Sequence, residues 1–538
     1  MALLLPCSGL NFCLSTTCAK PQIRIVTDMF RSLASSILTF IAVLLFAFVI
    51  IFLYSGSQGV KISRVAMEGD RSTPQILADI RAKQSKASEI VSTGDNNEEM
   101  DEPETNVSRG DGPPVVIWVS IPGFRGDYLE KADTPFFDLL ARDGDETNKM
   151  RPNFPCLTSP AHTTLATGVP VSVHGILGDK IREGGAIVNA TDPDLLNAEP
   201  IWQTATRQGI KTLVHDWPLS FNQTGDNAAA EFLASYDDSL DDVARLNRAL
   251  DAWRADSGAT LAREKESPAE VEDGAAMNAE VGSVDAPVTP TDSSAEKFRL
   301  VMLRLDDVKK AGMEFGPRED DTYAAISKTD TALNTFFDTV QAEWNTLAPE
   351  NANLIFLVTT DHGMAERQKN VNISHLLGDK MMANAEIVAH DAIANLFFKD
   401  LPESEAEQKV FIQKFDSELG KRIYFRTIKR EEIPEEWSYV YPERTGDRIL
   451  VLKTGYAFTE EKSDDPVFDP INAFAGYGYP VEESIRMSGQ VLLSGFPNSP
   501  IGGGSLDEID QLNFHATVCK MLGIEPAEGA NTETLPIY

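Results

Sequence analysis

The sequence predicts an α/β fold: a central sheet flanked by helices on both faces, with a small antiparallel excursion. Three observations lead there. Short apolar runs at Val115–Ser120, Lys211–His215, Phe298–Leu305 and Leu354–Thr359 have the unbroken hydrophobicity of strands buried on both faces. Helical patterns separate them: residues 322–345 carry Ala325, Leu333, Phe336, Phe337 and Val340 on one stripe, and Ile201–Gln208 suits a second amphipathic helix. Residues 431–458 differ, with Pro434, Tyr439, Tyr441 and a Thr-Gly-Asp-Arg turn before Ile-Leu-Val-Leu, and read as the antiparallel piece. In such sheets ligand chemistry gathers at the carboxyl ends of the strands.

With 538 residues and 42% hydrophobic content, the chain can bury a large core. Its 48 basic and 82 acidic residues give a formal charge of −34, which argues against a nucleic-acid polymer as partner. Ile37–Tyr54 is uncharged and mostly apolar, close to the roughly 20 residues that cross a bilayer. It exceeds the apolar core of a cleaved signal peptide, about 7–15 residues, so it reads as a retained transmembrane signal anchor, with the membrane as one partner. Lys20, Arg24 and Arg31 before it face Lys61, Arg64 and Arg71 after it, and charge alone gives no orientation. Sequons at Asn106, Asn189, Asn222 and Asn372 all lie on the carboxyl side, compatible with a lumenal or extracellular glycoprotein body.

The expected organisation is a cytosolic segment at 1–36, the anchor at 37–54, a disordered acidic stalk at 59–112 and a body at 113–538. The body carries a disordered insertion at about 257–297, rich in Ala, Glu, Ser, Pro and Asp. The acid-poor first 28 residues leave a mitochondrial membrane as the alternative location, and Met29 as a second candidate start. Cys156 and Cys519 are the only cysteines in the body, so no disulfide framework is implied.

Thr158 is followed by Ser159-Pro160, a cap and first-turn pair, which places its hydroxyl near a helix amino terminus that attracts anions. Taken alone, Thr158 reads first as an ordinary helix cap. Asp361-His362-Gly363 directly follows the strand Leu354–Thr359, and a carboxylate beside an imidazole at a strand end is half of a divalent-metal site. Asp-x-Gly is also an ordinary turn.

In chain order these segments resemble the nucleotide pyrophosphatase/phosphodiesterase (type I phosphodiesterase) family of the alkaline phosphatase superfamily, over residues 115–538. Val-Ser-Ile-Pro-Gly-Phe-Arg-Gly-Asp-Tyr-Leu at 119–129 is similar to its opening strand and turn. Phe-Pro-Cys-Leu-Thr-Ser-Pro-Ala-His at 154–162 is similar to its nucleophile helix, and Thr-Gly-Val-Pro-Val-Ser-Val-His-Gly at 167–175 to the continuation. Ile201-Trp202, Asp216-Trp217-Pro218, Thr-Asp-His-Gly-Met at 360–364 and Gly446-Asp447-Arg448 match in kind. The resemblance implies an alkaline-phosphatase-like fold, a type II anchor with the catalytic domain outside, and a threonine that attacks phosphorus with two divalent ions assisting. It puts the nucleophile at Thr158 and an Asp-His ligand pair at Asp361 and His362.

Four ligand positions depart from that pattern. Pro122 stands where the first ion takes an aspartate; Lys309, Met313 and Tyr477 stand at the three ligands of the second; Ala161 replaces an asparagine that helps bind a phosphate oxygen. A dication needs several hard donors, and an ammonium repels it. The expected site is therefore degenerate. It has no two-metal centre, none or one weakly bound divalent ion (zinc first) on Asp361 and His362, and Lys309 as a phosphate-binding ammonium. Asp306, Asp307, His215, Asp216 and His375 are the residues that could supply a relocated ligand. The expected function is a pseudoenzyme-like binding or scaffolding module for a phosphate-containing ligand or a protein partner. The alternative is a phosphodiester or pyrophosphate hydrolase or transferase working through Thr158 and one metal.

Overall fold

The computed structural model describes residues 112–221, 228–229, 231–233, 236–257, 297–496 and 504–536. The anchor, the stalk, the sequons at Asn106 and Asn222 and the interior of the insertion lie outside the described residues. Among the described residues, no helix is long and apolar enough to cross a membrane.

The chain first lays down six strands of a major sheet: β1 (Pro114–Ser120), β2 (Asp145–Arg151), β3 (Thr212–His215), β4 (Glu231–Leu233), β5 (Leu300–Arg304) and β6 (Asn353–Thr359). A four-stranded antiparallel sheet follows, from β7 (Ala385–His390), β8 (Ile393–Phe398), β9 (Phe425–Lys429) and β10 (Arg448–Leu452). β11 (Gly489–Phe496) then returns to the major sheet, whose order is 504–505, β2, β11, β6, β1, β5, β3, β4. β1 is parallel to both β5 and β6, with Trp118 opposite Met302 on one side and Leu357 on the other. Every residue from Val115 to Val119 is 0% exposed, which is why the sequence shows a continuous apolar run here and no alternation.

Among the helices of the described residues, those used below are α1 (Pro135–Asp143), α2 (Thr158–Thr167), α3 (Ile201–Arg207), α4 (Asp242–Asp256), α5 (Asp307–Phe315), α6 (Asp320–Ala342) and α7 (Asn513–Leu522). Alternate side chains of β1 point to opposite faces, and both faces are covered. Ile117 and Val119 pack with Phe137 of α1, Leu246 of α4 and Leu333 of α6. Val116 and Trp118 pack with Leu165 of α2, Trp202 of α3 and Phe514 of α7. The doubly covered α/β sheet expected from the sequence is the fold.

The antiparallel excursion is larger than the 431–458 reading. It is the whole β7–β10 sheet, in which β10 pairs with β8 far upstream, Ile393 opposite Val451. Local turn signals mark one end of such a sheet, whereas its register is set by pairing across a long separation.

Candidate active site

Because β1, β5 and β6 are parallel neighbours, their carboxyl ends open on the same side, and the cleft forms there. α2 starts at its rim. The cap residue of α2 is Leu157 and no side chain caps the helix, so Thr158 is its first helical residue. The ordinary-cap reading of Thr158 fails for that reason. The Thr158 hydroxyl, on a residue only 6% exposed, instead accepts a hydrogen bond from Lys309 Nζ at 2.7 Å.

Lys309 reaches Thr158 from the first turns of α5, and its Nζ lies 5.0 Å from the centroid of the Tyr477 ring. Burial works against its charge, but Tyr477, Asp361 and Asp306 outweigh burial and the nearby Arg304, holding the ammonium above the usual lysine range. The Lys309 side chain is therefore a cation beside the Thr158 hydroxyl.

Asp361 and His362 leave the end of β6 with every other polar bond made. Asp361 Oδ1 accepts from the amides of Gly123 at 3.0 Å and His362 at 2.6 Å, and the Asp361 carbonyl accepts from Gln511 Nε2 at 2.8 Å. The Gly123 amide points at the carboxylate because Gly123 is left-handed, with φ at 73°. Pro122 precedes it and offers no donor atom, so the loop after β1 binds the carboxylate through backbone alone. Burial opposes ionisation of Asp361, yet His362, His162, Lys309 and the Gly123 amide hold its carboxyl well below the usual range.

His362 Nδ1 lies 2.7 Å from the Gly363 carbonyl, which can only accept, so Nδ1 carries the proton and Nε2 presents a lone pair. Burial lowers the His362 pKa and favours the neutral ring. Its Nε2 and Asp361 Oδ2 are both buried without a hydrogen-bond partner, and they lie 3.3 Å apart. Two lone pairs at that distance repel unless a cation sits between them. Two ligands of a tetrahedral zinc ion are about 3.4 Å apart, given bonds near 2.1 Å. The spacing of this pair fits two ligands of one ion.

His162 ties this half to the helix. Its Nδ1 donates to the Thr158 carbonyl at 2.8 Å and its Nε2 accepts from Ser120 Oγ at 2.9 Å, while Asp361 Oδ2 lies 3.7 Å from Nδ1. Burial pushes the His162 ring down to about 4.

The second half does not fit an ion. Lys309 is bonded to Thr158, Met313 packs on the core, and Tyr477 stacks on the His362 ring at 5.0 Å and 23°. Among the described residues no group of three or more His, Cys, Asp or Glu side chains could hold a metal. Of the relocation candidates, Asp306 and Asp307 are engaged with basic side chains, while His215 and Asp216 lie against each other with no hydrogen-bond partner for their buried ring nitrogens and carboxylate oxygens. Asp306 is gripped by Arg304 at 3.0 and 2.9 Å, Asp307 faces Lys328 at 3.3 Å, and Asp216 pairs with Arg245 and lies 3.4 Å from His215. His375 sits exposed on a separate short helix, Ile373–Leu377. Ala161 is buried beneath the first turn of α2.

Sequence reasoning missed Ser120, Asp179 and Asp391. Ser120 was legible as a polar residue ending an apolar strand. Asp179 accepts a hydrogen bond from Ser159 Oγ at the cleft mouth. Asp391, in the β7–β8 turn, pairs with Arg367 at 2.8 Å, and the next amide, of Ala392, donates to the Tyr477 carbonyl at 3.2 Å. Burial pushes the Asp391 carboxyl up to about 6. Nothing local in the sequence marks it.

An ammonium and a hydroxyl at a helix amino terminus form a cradle for a phosphate oxygen. The same ammonium draws on one of the two lone pairs of that hydroxyl oxygen, and a hydroxyl without an activating base or metal is a weak nucleophile.

Known proteins share this framework. A family model described as type I phosphodiesterase/nucleotide pyrophosphatase matches residues 116–480. Human ectonucleotide pyrophosphatase/phosphodiesterase family member 7 is 22% identical over 452 residues, covering 78% of this chain and 84% of the relative. Human family member 5 is 25% identical over 362 residues, covering 65% and 64%. The solved structure of an inactive variant of murine member 5 in complex with AMP superimposes with a TM-score of 0.59 at 20% identity, over 77% of this chain and 96% of that one.

Proposed function

The chain belongs to the type I phosphodiesterase/nucleotide pyrophosphatase family, and from that premise we propose that it is a membrane-anchored member whose cleft binds a phosphate-containing ligand with little or no turnover. The Lys309 ammonium at 2.7 Å from the Thr158 hydroxyl carries this reading. It supplies the positive charge a phosphate needs while standing beside the Thr158 hydroxyl as a donor that cannot act as its base. Tyr477 supports it by filling the second ion's place with a ring. An AMP complex of a structural relative supports a nucleotide-sized ligand. The outward-facing body is supported by the names of the relatives and by Asn189, an exposed sequon at the end of a short hairpin. The Asn372 side chain, by contrast, is engaged with Glu461 and the His375 amide.

The second reading, a hydrolase or transferase using Thr158 and one ion, is favoured by the two orphaned atoms of Asp361 and His362. One assay on the full chain separates the two: release of p-nitrophenol from its thymidine monophosphate ester, with and without zinc, in wild type and Thr158→Ala. Binding without turnover predicts no rate above the variant's, together with thermal stabilisation by AMP. Robust zinc-dependent release abolished by the substitution establishes the second reading. Neither release nor stabilisation leaves a protein partner as the function of this surface.

A further inference from the structure

We propose that Lys309 is a tethered cation that excludes a divalent metal from the half-site built by Thr158, Asp361 and His362, and that neutralising this one side chain opens a zinc site there. The inference deepens the phosphate-binding reading and rests on it, because it names the resident charge of the same cleft.

The argument starts from two observations that pull in opposite directions. Asp361 Oδ2 and His362 Nε2 are fully buried, unpartnered and 3.3 Å apart, the spacing of two edges of a tetrahedral metal. Buried polar atoms normally have partners, so this pair is prepared for a cation. The third donor such an ion would use, Thr158 Oγ1, is held by Lys309 Nζ at 2.7 Å. An ion joining all three donors would stand within a few ångströms of the half-buried ammonium, and because Thr158, Asp361 and His362 are themselves buried the repulsion is less screened than in open water.

The lysine is held in place by more than one contact. Its ammonium lies over the Tyr477 ring at 5.0 Å, and that ring is stacked on His362. Tyr477 is in turn fastened through its carbonyl to Ala392 N at 3.2 Å, and Gly478 N donates to the Cys156 carbonyl at 2.8 Å. Lysine, tyrosine and histidine thus form one stack, and the hydroxyl of Thr158 is engaged by the lysine.

Zinc binding to the full chain by isothermal titration calorimetry tests this. Lys309→Met keeps the length of the side chain and removes its charge; it should bind zinc at least about tenfold more tightly than wild type, given the size of an unscreened like-charge repulsion. Lys309→Arg, which keeps the charge, should not gain. Adding Asp361→Asn to Lys309→Met should abolish the gain. Equal affinities in wild type and Lys309→Met overturn the proposal, as does a gain that survives Asp361→Asn, since the ion would then bind elsewhere. Should Lys309→Met fail to fold, Lys309→Gln gives the same comparison. Turnover by wild type would overturn the low-activity reading without altering these affinities, so the two failures are distinguishable.

Discussion

The two halves of the cleft are held in different ways. Asp361 and His362 follow β6, which β1 and β11 grip on both sides, and their loop is pinned by the Gly123, Gln511 and Gly363 contacts. Gly363 shows how tight that half is, because an added Cβ would lie 1.9 Å from the Arg486 carbonyl. Lys309 and Tyr477 come from a helix outside the sheet and from a loop braced by the β7–β8 turn. Side chains at those positions can differ in kind without disturbing a sheet hydrogen bond. The comparison teaches that a donor pair rooted in a central strand is fixed by backbone contacts on every side, while the half on peripheral elements is held through side-chain contacts.

Three measurements can break or sharpen that contrast, beside the turnover and zinc-affinity assays. Asp361→Ala should give the largest loss, about 3 kcal/mol in urea unfolding, since it leaves the buried amides of Gly123 and His362 unsatisfied and opens a cavity beside them. A loss no greater than that of an exposed substitution would show that the strand-rooted half is not the rigid one.

Acid should come next. The folded-state pKa of His162 is about 4, below the ordinary 6.5, so the native state holds fewer protons than the unfolded chain in between. Stability from this group is complete above about pH 6.5 and is lost as pH falls toward 4, by on the order of 3 kcal/mol. His162→Gln should flatten that part of the urea-midpoint profile; an unchanged slope places the acid sensitivity elsewhere.

Tyr477→Leu should cost least, about 1 kcal/mol, because it removes the ring contacts to Lys309 and His362 while keeping much of the volume. A cost several times larger would mean that the peripheral half is as rigidly built as the strand half.

Much of this site was legible before any coordinates. The continuous apolar runs gave β1 and β6 because strands covered on both faces have no polar side to alternate. The order of Thr158, Lys309 and Asp361-His362 along those strands and helices placed them at one edge. Ser120 and His162 were readable in kind, while Asp391 and Asp179 were not. Their role depends on which distant turn packs against Tyr477 and on which loop returns to α2.

Residue type alone determined that Pro122 has no side-chain donor and that Lys309 and Met313 offer no hard oxygen or imidazole to a divalent ion, since electron-pair donors are a property of side chains. Only the tertiary structure decided that Lys309 reaches Thr158, that Tyr477 lies on His362, and that two donors stand 3.3 Å apart and bare. Those facts come from contacts between residues far apart in the chain, whose distances are fixed by packing and cannot be read from local pattern.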